Sequence, residues 1–471
     1  MKRFLVLALI AAFTLTAAGL ARAGEVNMQG EFEQAFQWTD NEDFFDYQHD
    51  NTSEDDFDAL QSIRVYFEYV ANENLKGVFG IESLNDWGED TAGPGANQGA
   101  LGSNPATLTL QHGYIDFNLP GTAINIRSGL QDFALPGAMA GTPILDDDEC
   151  VAGIFANYQV SDQIGMTLGW ARLNDKTIGN DPGTGANEAD EVDAFLAVVP
   201  IAMDGFSLTP YVMYAHHGSN ATAGGAAINA GLVAANATAD VAGDRSLGDD
   251  LDIWWGGAAF TMNIFDPILV TADLMYGVAD GSNNTRDDRE GWFFDLGVDY
   301  VMDMFTPGVF FFWSSGDDDD PSDGSERMPT LGGSFGPTSF AFDGAVGQND
   351  GAILSADGIG LWGLGLALKD FSFMENLTHT ARVLYAQGTN DPDLAKKGYA
   401  TGLTDKDHFW EVNVDSTYAL YENLSACLEL GYVNRNLDEE PWKNSNTGVF
   451  GGDPDNTDDA WKCSFALIYE F

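Results

Sequence analysis

From Gly24 onward, apolar and polar residues alternate with a period of two, in segments separated by polar stretches. Val26, Met28, Phe32 and Phe36 share one parity, followed by Trp38, while Asn27, Gln29, Glu31, Glu33 and Gln37 share the other. A period of two places the two sets on opposite faces of a strand. Val65, Phe67 and Tyr69 oppose Arg64, Tyr66 and Glu68 in the same way, and Ile124, Ile126 and Leu130 oppose Asn125, Arg127 and Gln131. Trp292, Phe294, Leu296, Val298 and Tyr300 oppose Asp295, Gly297 and Asp299; Trp410, Val412 and Val414 oppose Glu411, Asn413 and Asp415. Alternation is less clean in 107–119 and 250–263, which reads as a subunit contact or a misphased strand. Helical periodicity is scarce.

The connections alternate in length. Short turns fall near Asn72–Asn74, Pro120–Gly121, Ser161–Gln163, Ala202–Gly205, Asn263–Asp266, Met302–Thr306, Asp370–Asn376 and Leu420–Glu422. Long polar segments lie between them, near 39–59, 87–106, 132–149, 175–190, 218–249, 280–289, 316–356, 389–406 and 437–458. Transmembrane barrels have short periplasmic turns and long external loops. Counting segments gives a single all-β domain over 24–471, an antiparallel barrel of eighteen strands to within two, with sixteen as the alternative. Closure satisfies every backbone donor and acceptor in hydrocarbon.

The chain start and the composition narrow the class. Lys2 and Arg3, the apolar run Phe4 to Ala18 and Ala21-Arg22-Ala23 have the layout of a secretory signal over 1–23, cleaved before Gly24. Beyond it, no apolar run approaches the roughly 20 residues of a membrane-spanning helix. Without Lys2, Arg3 and Arg22, 17 basic residues face 73 acidic ones, a net charge of about −56. That excludes nucleic-acid binding, which needs a basic face. It also favours acids on outer loops and around a solvated channel, where self-repulsion is tolerable. Cys150, Cys427 and Cys463 cannot all pair within one chain and show no metal-ligand spacing, so they read as small packing residues. The six histidines form no ligand motif, which argues against an enzyme.

The last strand puts Trp461, Cys463, Phe465, Leu467, Tyr469 and Phe471 on one face, and its final segment, Ser464 to Phe471, ends in an aromatic residue. It resembles the terminal signal that the bacterial barrel assembly machinery recognises, with Phe471 as its key residue. With the Gly24-Glu25-Val26 start and the acidic loops, nearly the whole chain resembles the outer-membrane homotrimeric porins of sulfate-reducing bacteria, the Desulfovibrio-type general porins. The resemblance implies a homotrimer in the Gram-negative outer membrane, with lipid and lipopolysaccharide around it, passing small hydrophilic solutes.

A barrel of this size encloses water, because diameter grows with strand number. By parity, Glu31, Glu33, Glu68, Asp273, Asp295, Asp299, Asp415 and Glu429 face the lumen, as do Arg64, Arg127, Arg382 and Arg435. The arginines either form a positive wall facing an acidic loop or pair with inward carboxylates such as Glu68 and Glu429. The third long loop, Asp132 to Glu149, carries apolar Phe133, Leu135, Met139, Ile144 and Leu145 ahead of Asp146, Asp147, Asp148 and Glu149. Apolar residues in an external loop need a surface, so this loop is expected to fold inward and form the constriction. Asp317, Asp318, Asp319 and Asp320 offer oxygens to Ca²⁺ but lack a calcium-loop spacing, since Pro321 takes a ligand position; no cofactor is firmly indicated. Excess lumenal carboxylate predicts a diffusion channel that prefers cations. Two alternatives are a substrate-specific channel for sugars or organic acids, left open by the strand number and by Tyr66, Trp254 and Phe293, and a structural surface protein whose loops bind divalent ions.

Overall fold

The computed structural model describes residues 24–41, 55–88, 108–145, 150–175, 191–218, 221, 250–281, 288–320, 322–345, 357–397, 402–442 and 459–471. The expected signal segment lies outside them, as do Asp146 to Glu149.

Strands β1 (Glu25–Asp40), β2 (Asp55–Asn72), β3 (Leu75–Asp86), β4 (Thr109–Asn118) and β5 (Ile124–Asp132) run up and down in sequence. A two-residue strand, β6 (Gly141–Thr142), lies in the following loop. Then come β7 (Cys150–Ser161), β8 (Ile164–Asp175), β9 (Glu191–Val198), β10 (Ile201–Met203), β11 (Phe206–His217) and β12 (Leu251–Met262). They are followed by β13 (Ile268–Gly281), β14 (Arg289–Tyr300) and β15 (Thr306–Ser314), with a second two-residue strand, β16 (Ser334–Phe335), in a loop. The chain ends with β17 (Leu361–Met374), β18 (Leu377–Gly388), β19 (His408–Tyr421), β20 (Leu424–Asn436) and β21 (Ala460–Glu470).

Val199-Pro200 interrupts one ladder position between β8 and β11, so β9 and β10 count as a single strand. Pro200 has no N–H to donate, which accounts for the break. β1 pairs with β2 on one side and with β21 on the other, Phe36 lying opposite both Ala59 and Phe465. The result is a closed antiparallel barrel of eighteen strands. All eight short turns join strands where the sequence places them. In the turn between Met203 and Phe206, Gly205 takes φ 80°, a left-handed conformation that glycine adopts without strain.

The barrel is built inside out relative to a water-soluble protein. Neighbours on β21 decide the point: the Lys462 side chain is 0% exposed, and Trp461 is 42% exposed. Large apolar residues cover the outer wall, among them Phe195, Leu274, Leu364, Val412 and Leu430. So large an apolar surface needs a hydrocarbon solvent. Aromatic pairs bound it at the loop end, with ring centroids 4.7 Å apart for Tyr214–Trp254, 4.6 Å for Tyr276–Trp292 and 4.9 Å for Tyr385–Trp410. Phe32, Tyr469 and Phe471 cluster at the turn end. Such girdles mark the two interfaces of a transmembrane barrel.

The irregular alternation in 107–119 has a local cause. The ladder between β3 and β4 shifts register at Gly80/Ile81, leaving Gln111 as an extra residue between the pairs Gly80–His112 and Ile81–Leu110. Above such a bulge the side-chain phase no longer matches the phase below. In β12 the inward residues Leu251, Ile253 and Trp255 are themselves apolar and fully buried, because a loop packs on them from inside the lumen.

Candidate functional site: the lumen and its two inward loops

The loop after β5 folds into the barrel over its described part. Leu135, Ile144 and Leu145 are buried, Phe133 stacks on Phe155 of the wall at 4.9 Å, and Leu135 N–H donates to the Leu145 carbonyl. An anchor holds the turn: the N–H groups of Ala138 and Met139 donate to the Asp273 carboxylate at 2.8 and 3.0 Å. Asp295 in turn accepts from the Asp273 N–H at 3.0 Å. Asp132, expected inside this loop, is the last residue of β5.

A second loop, between β15 and β17, also enters the lumen. The sequence reading treats it as a polar external loop, and the structure corrects this. Its Met328, Leu331, Phe335, Phe340 and Phe342 are at most 3% exposed. Phe335 packs edge-on against Phe293 and Phe312, at 5.0 and 5.2 Å, and Phe342 reaches Phe409. The wall makes room for these rings: Gly363 and Gly365 lie where a Cβ would come within 2.5 Å of Phe312 and 2.1 Å of Phe310. The two loops are joined by the ladder of β6 and β16 and by Leu331 N–H donating to the Ile144 carbonyl at 2.8 Å.

The tip of the second loop is pinned to β19, β20 and β21. Thr338 donates to Glu411 at 2.5 Å, Ser339 to Asp415 at 2.8 Å and Asn413 to the Ser339 hydroxyl at 2.5 Å. Lys462 donates to the Ser339 carbonyl and pairs with Glu429 at 3.1 Å.

All twelve charged residues assigned to the lumen by parity lie on the inner face by register, but they fall into two classes. Asp273 and Asp295 are 1% and 0% exposed beneath the first loop, which Asp273 anchors. Asp415 and Glu429 are buried beneath the second, and Glu33 and Arg435 are also buried. Asp415 is held by Arg382, and Glu429 by Lys462. The second class is wet. Arg64, Lys76 and Arg127 keep 35%, 35% and 38% of their side-chain exposure, and each sits beside a carboxylate. Arg64 pairs with Glu82 at 2.6 Å, Lys76 with Glu68 at 2.8 Å and Arg127 with Asp116 at 3.6 Å. Glu31 is opposite Arg64 on the adjoining strand, and Asp299 binds Lys369 at 2.9 Å. Of the two readings for the arginines, pairing is the one the geometry shows for Arg64, Arg127 and Arg382. Glu68 and Glu429, the carboxylates named from sequence, pair with Lys76 and Lys462. Asn125, Asn157 and Thr167 extend the polar strip through mutual hydrogen bonds.

The aromatic residues offered for a sugar channel separate. Trp254 is 52% exposed on the outer wall, Phe293 is buried under the second loop, and Tyr66 alone remains beside the polar strip. The four consecutive aspartates do not converge. Asp317 is buried and accepts from Ser325, the Asp319 carbonyl accepts from Lys397, and Asp318 groups instead with Asp323 and Glu326. Burial pushes the Glu326 carboxyl above the usual carboxylate range.

Replacing Asp273 by Ala tests the first anchor. It leaves two partly buried N–H groups without their carboxylate acceptor, at up to about 1–3 kcal/mol each. Hydrogen exchange at Leu135 to Leu145 is expected to rise in D273A while strand amides stay protected. Unchanged exchange in the loop would show that the anchor contributes nothing.

No protein-family model and no curated protein matches the chain. Solved structures do. OccK9 (OpdG) of Pseudomonas aeruginosa superposes with a TM-score of 0.57 at 11% identity, over 95% of this chain and 98% of that one. OpdO of Pseudomonas aeruginosa gives 0.53 at 13%, over 95% and 97%. OccAB4 of Acinetobacter baumannii gives 0.51 at 12%, over 94% and 98%. At these identities the likeness shows the fold alone, a closed antiparallel barrel of eighteen strands.

Proposed function

We propose that the chain is an outer-membrane porin of a Gram-negative bacterium, a water-filled channel through which small hydrophilic solutes diffuse, and not an enzyme. The observation that carries this reading is the pairing of an apolar, girdled outer wall with a charged inner strip that stays wet beside two inward loops. The finer identity follows the sequence resemblance: a homotrimer of the kind found in sulfate-reducing bacteria, exported by its signal segment, inserted through its Phe471-ended strand and surrounded by lipid and lipopolysaccharide. Conductance steps from the purified protein in planar bilayers test the channel directly, and their absence would instead support a structural surface protein.

Ion preference has a different origin from the one parity gives. On the wet strip cations and carboxylates are nearly matched, so the wall itself selects weakly. The net charge of about −56 remains, and it raises cation concentration at the mouths. Reversal potentials should therefore favour cations at low salt and approach neutrality near 1 M, where the screening length falls to about 3 Å. Anion preference at low salt would overturn this. A substrate-specific channel would show saturable block of the current by one solute.

A further inference from the structure

We propose that His112, Asp132 and Cys150 form a binding site for a divalent transition-metal ion, Zn²⁺ by preference, at the base of the first inward loop. The three residues come from β4, β5 and β7 and are not adjacent in sequence, yet their donor atoms all lie within 4.8 Å of one another. His112 Nε2 is 2.6 Å from an Asp132 oxygen, and the Cys150 Sγ is 3.1 Å from the same oxygen. One nitrogen, one oxygen and one sulfur are the donor types Zn²⁺ takes, at about 2.0–2.3 Å.

The surroundings favour an ion over a simple hydrogen-bonded cluster. His112 is buried, with the Tyr66 ring against it at 4.9 Å and Tyr114 edge-on at 5.9 Å, which fixes the imidazole plane. Gln111, the bulged residue, donates its amide N–H to Glu82, which turns its oxygen toward Cys150, 2.9 Å from the sulfur. That oxygen, or a water, supplies a fourth position, and the Glu82 contact is the kind of outer partner that orients a ligand. The half-exposed Asp132 side chain can open the two short contacts to the roughly 3.3–3.6 Å that a tetrahedral ion imposes between its donors. Binding displaces the thiol proton to solvent, and the imidazole coordinates as the neutral ring.

The position gives the ion a structural consequence. Asp132 and Cys150 are register partners and stand at the two ends of the inward loop. A bound ion would clamp the neck of that loop.

Cobalt(II) titrated into the full barrel in detergent provides the test, because thiolate coordination produces a charge-transfer band in the near-ultraviolet that carboxylates alone cannot give. One equivalent per chain is expected to develop the band. C150S should abolish it, H112Q should weaken binding by an order of magnitude or more, and C427S with C463S should leave it unchanged. Heat-dependent mobility on gels verifies that each variant is a folded barrel. No band from the unaltered protein, or a band that survives C150S, would overturn the proposal.

Discussion

Deleting residues 334–343 should raise single-channel conductance several-fold while the protein still migrates as a folded, heat-modifiable barrel. The segment contains β16 and the pinned tip, and it carries Phe335, Phe340 and Phe342 into the lumen. Its removal opens the cross-section from the side of β14 to β21, because those rings currently fill the space above Phe293, Phe312 and Phe409. The wall survives because its backbone hydrogen bonds run from strand to strand, and Ser325, the loop residue that bonds the backbone of β14, lies outside the deleted segment. The newly wetted phenylalanines destabilise the barrel by a few kcal/mol, about 1.5–3 for each side chain that loses its cover. An unchanged conductance would mean that solutes already bypass this loop, and that the first loop alone sets the width.

The barrel was readable because strand faces obey an exact period, and in a membrane barrel both faces are constrained at once. Trp461, Cys463, Phe465, Leu467 and Tyr469 had to be outward once Lys462 and Ser464 were inward. The first inward loop was readable from Leu135, Ile144 and Leu145, because apolar residues between external strand ends demand a surface. The same signal stood in Met328, Leu331, Phe335, Phe340 and Phe342, but it was diluted by the glycines, serines and acids of 316–356. What parity could not supply was depth and partnership. It assigns Asp273 and Glu68 to one face without saying that one lies under a loop and the other beside Lys76. Nor could spacing reveal the His112, Asp132 and Cys150 group, which forms only when a bulge in β4 brings Gln111 and His112 beside the ends of β5 and β7.

Replacing Lys462 by Met is expected to cost about 3–5 kcal/mol, the usual consequence of removing one partner from a buried ion pair. Lys462 is fully buried, and it serves two surfaces at once. On the wall it neutralises Glu429, and inside the lumen it donates to the Ser339 carbonyl with its ammonium 5.7 Å from the Phe340 ring centre. K462M therefore takes the buried ammonium away from the Glu429 carboxylate and also releases the tip of the second loop. Two measurements separate these effects. The temperature of the gel-mobility transition reports the wall, and pairing K462M with E429Q should recover most of the loss, because a neutral amide no longer needs the ammonium. Current noise reports the loop, and it should stay elevated in the double variant because the Lys462 contact to the Ser339 carbonyl is still missing. If E429Q restores both readouts together, the loop is held by Glu411 and Asp415 alone, and the lysine acts only on the wall.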